Sequence, residues 1–176
     1  NILFAIAVLE ILNLNFEKIK NKLNELDILK GRGKIIKVKH KNVNFNLIDE
    51  SYNANPLSMK ESIYKLSKMK IKSNKYILLG DMLELGQKTK LLHKKLSPII
   101  NNSNIRKLFV LGEHIMDTYK YVKKSKRGNI LQLKSDINDV LIPILQNNDY
   151  LMIKGSNATG LQEISKNLSR GNLNAL

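Results

Sequence analysis

The sequence predicts an α/β fold, a mostly parallel sheet with helices on both faces. Short apolar runs rich in β-branched residues alternate with helix-length amphipathic segments from Ile35 to Leu168, the pattern of strand–helix–strand units that share one sheet. Four of those apolar runs end in polar turns, most of them carrying glycine. In such sheets the carboxyl ends of parallel strands lie along one edge, and that edge is where ligands bind.

In chain order, residues 2–12 are apolar on nearly every side and broken only by Glu10, which predicts a helix buried against other parts of a larger protein. The run is too short to span a bilayer and lacks the basic start and cleavage site of a signal peptide. Residues 16–29 place Phe16, Ile19, Leu23 and Leu26 at helical spacing, giving a second, amphipathic helix. Lys30-Gly31-Arg32-Gly33-Lys34 then punctuates the chain. Glycines on both sides of an arginine mark a hinge, so a domain boundary is expected there, with residues 1–30 on one side and 31–176 on the other.

Strands are expected over 35–38 and 43–48, close enough to form a hairpin, and then over 76–79, 108–111, 130–133 and 150–153. Helices are expected over 56–69, 88–100, 113–122, 137–145 and 161–168. Pro56 suits a first helical turn, and Asn55 before it is placed to cap the free N–H groups.

The 176 residues contain no cysteine, which excludes disulfides and thiolate metal sites and fits a reducing compartment. A net charge of +15 raises a nucleic-acid reading. The lysines, however, are scattered over the polar positions, and no basic–aromatic motif for base stacking is present. His40, His93 and His114 make no metal-ligand spacing. There is neither a G-x-x-x-x-G-K-[ST] phosphate loop nor a G-x-G-x-x-G fingerprint. From its residues alone the chain is a ligand-binding α/β domain without a visible catalytic engine.

Candidate chemistry sits in the turns. Asp49-Glu50-Ser51-Tyr52-Asn53-Ala54-Asn55 gathers carboxylates, a hydroxyl, a phenol and amides at the end of a buried strand. Asp81 and Glu84 in Gly80-Asp81-Met82-Leu83-Glu84-Leu85-Gly86 offer either an acid–base pair or a helix cap. The turn Lys154-Gly155-Ser156 puts a cation beside N–H groups, an arrangement suited to an anion or simply to a reversal of the chain.

The run Ile48-Asp49-Glu50-Ser51-Tyr52-Asn53-Ala54-Asn55-Pro56-Leu57-Ser58-Met59 closely resembles a motif in the C-terminal domain of the Mur ligase family. Gly31-Arg32-Gly33, the 80–86 loop and Lys154-Gly155-Ser156 fall in that family's order, and Asn1-Ile2-Leu3-Phe4-Ala5 is similar to the end of its central ATPase domain. The resemblance implies a Rossmann-like C-terminal ligase domain over 31–176, preceded by two helices of the central domain. It also implies an ATP-dependent amide ligase of peptidoglycan precursor synthesis, cytoplasmic and monomeric, using ATP and Mg²⁺. The motif pair Y-N-A-N-P and G-D-M-x-E-L-G points to the branch whose substrates are UDP-N-acetylmuramoyl-tripeptide and D-alanyl-D-alanine. The phosphate loop and Mg²⁺ ligands then belong to the central domain, so the fragment alone is expected to be inactive.

Carried over by position, the resemblance places Arg32 on the ATP phosphates as the catalytic candidate and Asn1 near adenine, with Phe4 where the family has a second Asn. It places Glu50 or Asp49 on the ribose. Tyr52, Asn53 and Asn55 would face the dipeptide, with Asp81, Glu84, Leu85 and Lys154 beside them. A basic nucleic-acid-binding domain and a stand-alone nucleotide-binding domain stay open as alternatives.

Overall fold

The computed structural model describes residues 2–15, 17, 29–40, 43–132 and 136–171. Asn1 and the helix expected over 16–29 lie outside them, apart from Glu17 and Leu29. Six strands form one sheet in the order β1-β2-β6-β3-β4-β5: β1 (Lys34–His40), β2 (Val43–Asp49), β3 (Lys75–Gly80), β4 (Lys107–Leu111), β5 (Arg127–Leu131) and β6 (Tyr150–Lys154). β1 and β2 pair antiparallel from Lys34↔Asp49 to His40↔Val43, as expected of the hairpin. The other neighbours are parallel.

Side-chain alternation along the strands builds two cores. Phe45, Leu47, Tyr76, Leu78, Phe109, Leu151 and Ile153 point to one face. Ile48, Ile77, Leu79, Leu108, Val110 and Met152 point to the other. This follows from the period of two along a strand, and it explains why the strands read as continuous apolar runs: both faces are covered.

The chain leaves β2, β3 and β4 toward the second face. There α2 (Pro56–Lys68) buries Met59, Ile63 and Leu66, and the segments after β3 and β4 bury Leu96, Ile100, Ile115 and Val122. It leaves β5 and β6 toward the first face, where Ile137, Leu141 and Ile142 pack, followed by Leu161, Ile164 and Leu168. Asn55 starts α2 with a reciprocal capping box, its side chain accepting from Ser58 N at 2.8 Å while Ser58 Oγ accepts from Asn55 N at 3.1 Å. Near its other end, the buried Lys75 ammonium donates to the Ser67 and Met69 carbonyls, a cation where the helix dipole is negative.

Three helices differ from expectation. Residues 88–100 form two short helices, α3 (Thr89–Lys94) and α4 (Leu96–Asn101), after a 3₁₀ turn at Gly86–Lys88. Pro98 has no N–H for the Lys94 carbonyl, and Ser97 Oγ takes that carbonyl at 2.8 Å instead. The helix expected over 113–122 shrinks to α5 (Met116–Tyr119). The bonds Met116 N to Glu113 O, Asp117 N to His114 O and Val122 N to Tyr119 O span three residues, so both flanks are 3₁₀-like. Residues 137–145 hold a π-helical turn, Ile137–Leu141, and a 3₁₀ turn, Ile142–Ile144, where Pro143 again lacks its donor.

The strand expected over 130–133 is β5, which starts earlier, at Arg127. Its polar, glycine-bearing start masks an edge strand. The closing helix α6 (Leu161–Ser169) matches expectation. α1 (Ile2–Ile11) leaves Leu3, Phe4 and Ile11 at 82%, 75% and 80% exposure.

β3 and β6 meet closely at their carboxyl ends because Gly80 and Gly155 face each other. A Cβ on Gly155 would lie 3.1 Å from Gly80 Cα and 2.7 Å from Leu161 Cδ1. Gly155→Ala is therefore expected to destabilise the fold by about 1–3 kcal/mol, the usual range for overpacking. Denaturant unfolding of the two proteins checks this.

Candidate functional site

Loops that leave adjacent parallel strands toward opposite faces open a crevice between them. β6 sends its chain to one face while β2 and β3, on either side of it, send theirs to the other. The crevice formed there is a cleft of 580 Å³ walled by three loops: Tyr52, Asn53 and Asn55 after β2, Leu83, Glu84 and Leu85 after β3, and Ser156 and Asn157 after β6. Five of the expected substrate residues thus meet in one place: Tyr52, Asn53, Asn55, Glu84 and Leu85.

The Gly31-Arg32-Gly33 turn abuts this cleft. Gly31 is buried at φ +74° and its N–H donates to Asp49 Oδ2 at 3.1 Å. Gly33 N donates to the Asp49 carbonyl at 2.6 Å, and Tyr52 N donates to Gly31 O at 3.2 Å. A Cβ on Gly31 would lie 2.8 Å from the Tyr52 backbone nitrogen. Only glycine fits this close, left-handed turn without strain. The turn delivers Arg32 to the surface with its guanidinium 4.5 Å from the centre of the Tyr52 ring, a cation–π contact.

The two carboxylates beside this turn have different surroundings. Asp49 is buried and its oxygens are occupied: besides Gly31 N, Oδ1 accepts from Ser51 N at 3.2 Å and Ser51 Oγ at 2.5 Å. Glu50 is more open, its side chain 19% exposed, with Oε2 3.6 Å from the Lys154 ammonium.

Lys154 lies behind the cleft wall. Its Nζ donates to the Asn53 carbonyl at 2.9 Å, and the residue is 2% exposed. Burial pushes the ammonium below the ordinary lysine range; Glu50 pulls it back up and Arg32 lowers it. The expected anion-binding lysine is therefore an internal pin that ties the 50–53 loop to β6.

Asp81 also faces away. Its carboxylate accepts from Glu113 N at 3.2 Å and Ile115 N at 2.7 Å, organising the turn after β4. Asp81 lines a neighbouring hollow of 690 Å³ with Gly112, Met116 and Gln132. Asp81 caps none of the described helices; its carboxylate instead braces the 113–115 turn of the neighbouring loop.

Asn53 and Asn55 divide their side chains. Asn53 Oδ1 accepts from Ala54 N at 2.8 Å, and Asn55 Oδ1 caps α2. Both residues are exposed in the cleft wall. Glu84 holds a left-handed backbone, φ +61°, uncommon for a residue with a Cβ and frequent where a loop is shaped for a ligand.

Two residues escaped the sequence reading. Ser156 joins all three loops: its Oγ accepts from Leu83 N at 3.0 Å and donates to Ala54 O at 3.4 Å, while its N–H donates to Asp81 O at 2.9 Å. His93 is fully buried and accepts from Met82 N at 3.0 Å. A signal existed for its burial, since positions 93, 96, 97 and 100 fall on one helical face and all are buried. Among the described residues, no three His, Asp or Glu side chains converge to hold a metal ion.

Comparison with known proteins agrees with this fold. The model of the family described as "Mur ligase, glutamate ligase domain" matches residues 31–157. The chain is 30% identical over 164 residues to the UDP-N-acetylmuramoyl-tripeptide–D-alanyl-D-alanine ligase of Rickettsia prowazekii, covering 91% of this chain and 34% of that protein. It is 40% identical over 114 residues to the ligase of the same name from Buchnera aphidicola subsp. Baizongia pistaciae, covering 64% of this chain and 24% of that one. In fold it is similar to a MurF ligase of Thermotoga maritima in complex with ADP, with TM-score 0.72, 20% identity and coverage of 97% and 37%. It is likewise similar to MurF of Acinetobacter baumannii, with TM-score 0.73, 23% identity and coverage of 94% and 36%. The chain spans about a third of the length of the relatives it matches along most of its own.

The contrast between the neighbouring carboxylates is measurable. Asp49→Ala strands buried N–H donors and is expected to cost about 1–3 kcal/mol or more, whereas Glu50→Gln removes the counter-charge of the buried Lys154 ammonium, a loss that shrinks as pH rises and Lys154 gives up its proton. Chemical denaturation of both variants tests the division.

Proposed function

This chain belongs to the Mur ligase family, and from that premise we propose that it is the ATP-closing and dipeptide-binding part of a ligase that joins D-alanyl-D-alanine to UDP-N-acetylmuramoyl-tripeptide. The observation that carries the reading is the juxtaposition of a hinge arginine with a cleft walled by a phenol and amides, Arg32 over Tyr52 beside Asn53 and Asn55. The relatives' names support the substrate pair. Family membership leaves the charge-based nucleic-acid reading without support.

In this reaction ATP transfers its terminal phosphoryl group to the tripeptide carboxylate, giving an acyl phosphate and ADP. The dipeptide amine attacks the acyl carbon, and the tetrahedral intermediate expels phosphate as the amide forms. Arg32 is suited to the phosphates, because a planar guanidinium makes paired, charge-assisted bonds to their oxygens. Its place on a glycine hinge lets it arrive with domain closure. Glu50 is the better of the two ribose candidates, since Asp49 already accepts from Gly31 and Ser51 and an acceptor is what a ribose diol needs.

The cleft suits a zwitterionic dipeptide. Amides offer donors to its carboxylate and acceptors to its N–H groups without adding net charge. The phosphate loop and the Mg²⁺ ligands are assigned to the central domain, with residues 1–30 as that domain's end; a family match that starts at residue 31 supports the boundary. Asn1 near adenine falls outside the described residues. Among those residues no helix is long and apolar enough to cross a membrane. A cytoplasmic monomer is the state proposed, on the family resemblance and on the use of ATP and a nucleotide-linked substrate.

In a complete ligase carrying this chain, Arg32→Ala is expected to cut kcat strongly while costing at most about 1 kcal/mol of stability, the size of an exposed cation–π contact. A melting loss as large as the activity loss would make Arg32 structural.

Asn53→Ala and Asn55→Ser are expected to raise KM for D-alanyl-D-alanine about tenfold to a hundredfold and leave KM for ATP unchanged. Serine is chosen at position 55 because it preserves the helix cap. Glu50→Gln should act on the ATP term. Steady-state kinetics with each substrate varied in turn decides it, and amide variants that move only the ATP term would refute the assignment.

A further inference from the structure

The 81–86 loop forms one wall of the cleft through Leu83, Glu84 and Leu85, and it is held from two sides. On the β6 side, Ser156 Oγ accepts from Leu83 N. On the other side the partner is His93, in α3. Its ring Nε2 accepts from Met82 N at 3.0 Å, and its Nδ1 lies 2.8 Å from the Thr89 carbonyl one turn back in the same helix. One ring form satisfies both contacts, the neutral imidazole with its proton on Nδ1 donating to Thr89 O and Nε2 free to accept.

His93 and Met82 are both fully buried, and the His93 carbonyl accepts from Thr118 Oγ1 at 2.7 Å, which fixes the backbone beneath the ring. The imidazole is not part of the cleft lining. Its nitrogens are spent on the loop and on its own helix.

Two residues past Met82 the backbone turns left-handed at Glu84. Such a conformation persists in a non-glycine residue only where its flanks are fixed. The fixed points are Met82 on His93 and Leu83 on Ser156, with Lys88 N donating to Leu85 O at 3.3 Å just beyond. We propose that His93 is a positioning residue for substrate selection: by accepting the Met82 N–H it sets the Leu83–Leu85 wall against which the dipeptide is held. This rests on the dipeptide reading of the cleft.

The test uses a complete ligase carrying this chain and three substitutions. His93→Leu fills the space without an acceptor. His93→Asn is polar but ends one bond short of Met82 N. His93→Gln carries an acceptor at the reach of Nε2. The Leu and Asn variants should raise KM for D-alanyl-D-alanine about tenfold, the loss expected when a buried N–H loses its acceptor, with kcat and KM for ATP near their original values. His93→Gln should recover most of the loss.

Hydrogen exchange should accelerate in residues 82–86 of the Leu and Asn variants and not across the sheet. If His93→Leu fails to fold, the Gln and Asn pair carries the same comparison. Equal KM values in Gln and Asn, or a lowered melting temperature with unchanged dipeptide KM, overturns the proposal. An unaltered enzyme that does not use the dipeptide refutes the proposed function instead, and exchange at Met82 that is indifferent to His93→Asn then also overturns the role of His93.

Discussion

Strand β6 pairs with β2 on one side and β3 on the other, and the connections from those neighbours leave toward the opposite face. Backbone hydrogen bonding fixes how closely the three strands run, so their loops cannot spread by moving the strands apart. They spread by diverging above and below the sheet, and the cleft is the space left between them. Gly80 and Gly155 bring the floor of that space together, and Ser156 stitches its three walls. The cleft is thus a consequence of strand order, and side chains only decide what it accepts.

Polar residues around the cleft fall into two populations that share the same residue types. Asp49, Asp81 and Lys154 are spent on the protein's own backbone, each holding a turn or loop that would otherwise carry unpaired groups. Glu50, Asn53, Asn55 and Arg32 remain open to solvent in part or whole. An unpaired group inside costs far more than an unpaired group at the surface, so the inward set is fixed by folding and the outward set is available for chemistry, even though the Asn53 and Asn55 amide oxygens each also accept one backbone N–H. The Glu50–Lys154 pair spans the two populations. Burial makes the ammonium costly, and Glu50 offsets that cost.

Much of this was legible beforehand. Apolar runs mark part of every strand. β3, β4 and β6, covered on both faces, are apolar nearly throughout, whereas β5 opens on Arg127-Gly128-Asn129 and only its end is marked. The loop after β2 announces itself by its amides and carboxylates. The sequence pattern overextends helices 88–100 and 137–145 because the apolar period continues through Pro98 and Pro143, while the hydrogen-bond ladder does not. Within the site, composition named the residues but not their directions. Asp49 and Glu50 are adjacent in sequence and chemically alike, and only the approach of Gly31 separates them. Asp81 reads from sequence as an acid or a helix cap, and the structure instead spends it on backbone N–H groups of the turn after β4, more than thirty positions away. His93 carried a weaker signal, a polar residue on the apolar face of a helix, whose partner is a backbone N–H that no side-chain pattern can reveal.

The late position of β6 also bears on how the polypeptide is made. A nascent chain that has completed β2 and β3 still lacks the strand that belongs between them, so Leu47, Ile48, Ile77 and Leu78 lie on strands with open hydrogen-bonding edges until residues 150–154 emerge. Open apolar edges are templates for pairing with other chains. A translation product stopped anywhere between Leu111 and Tyr150 would hold most of the core residues and none of the closure, making it a prime client for chaperones and proteases.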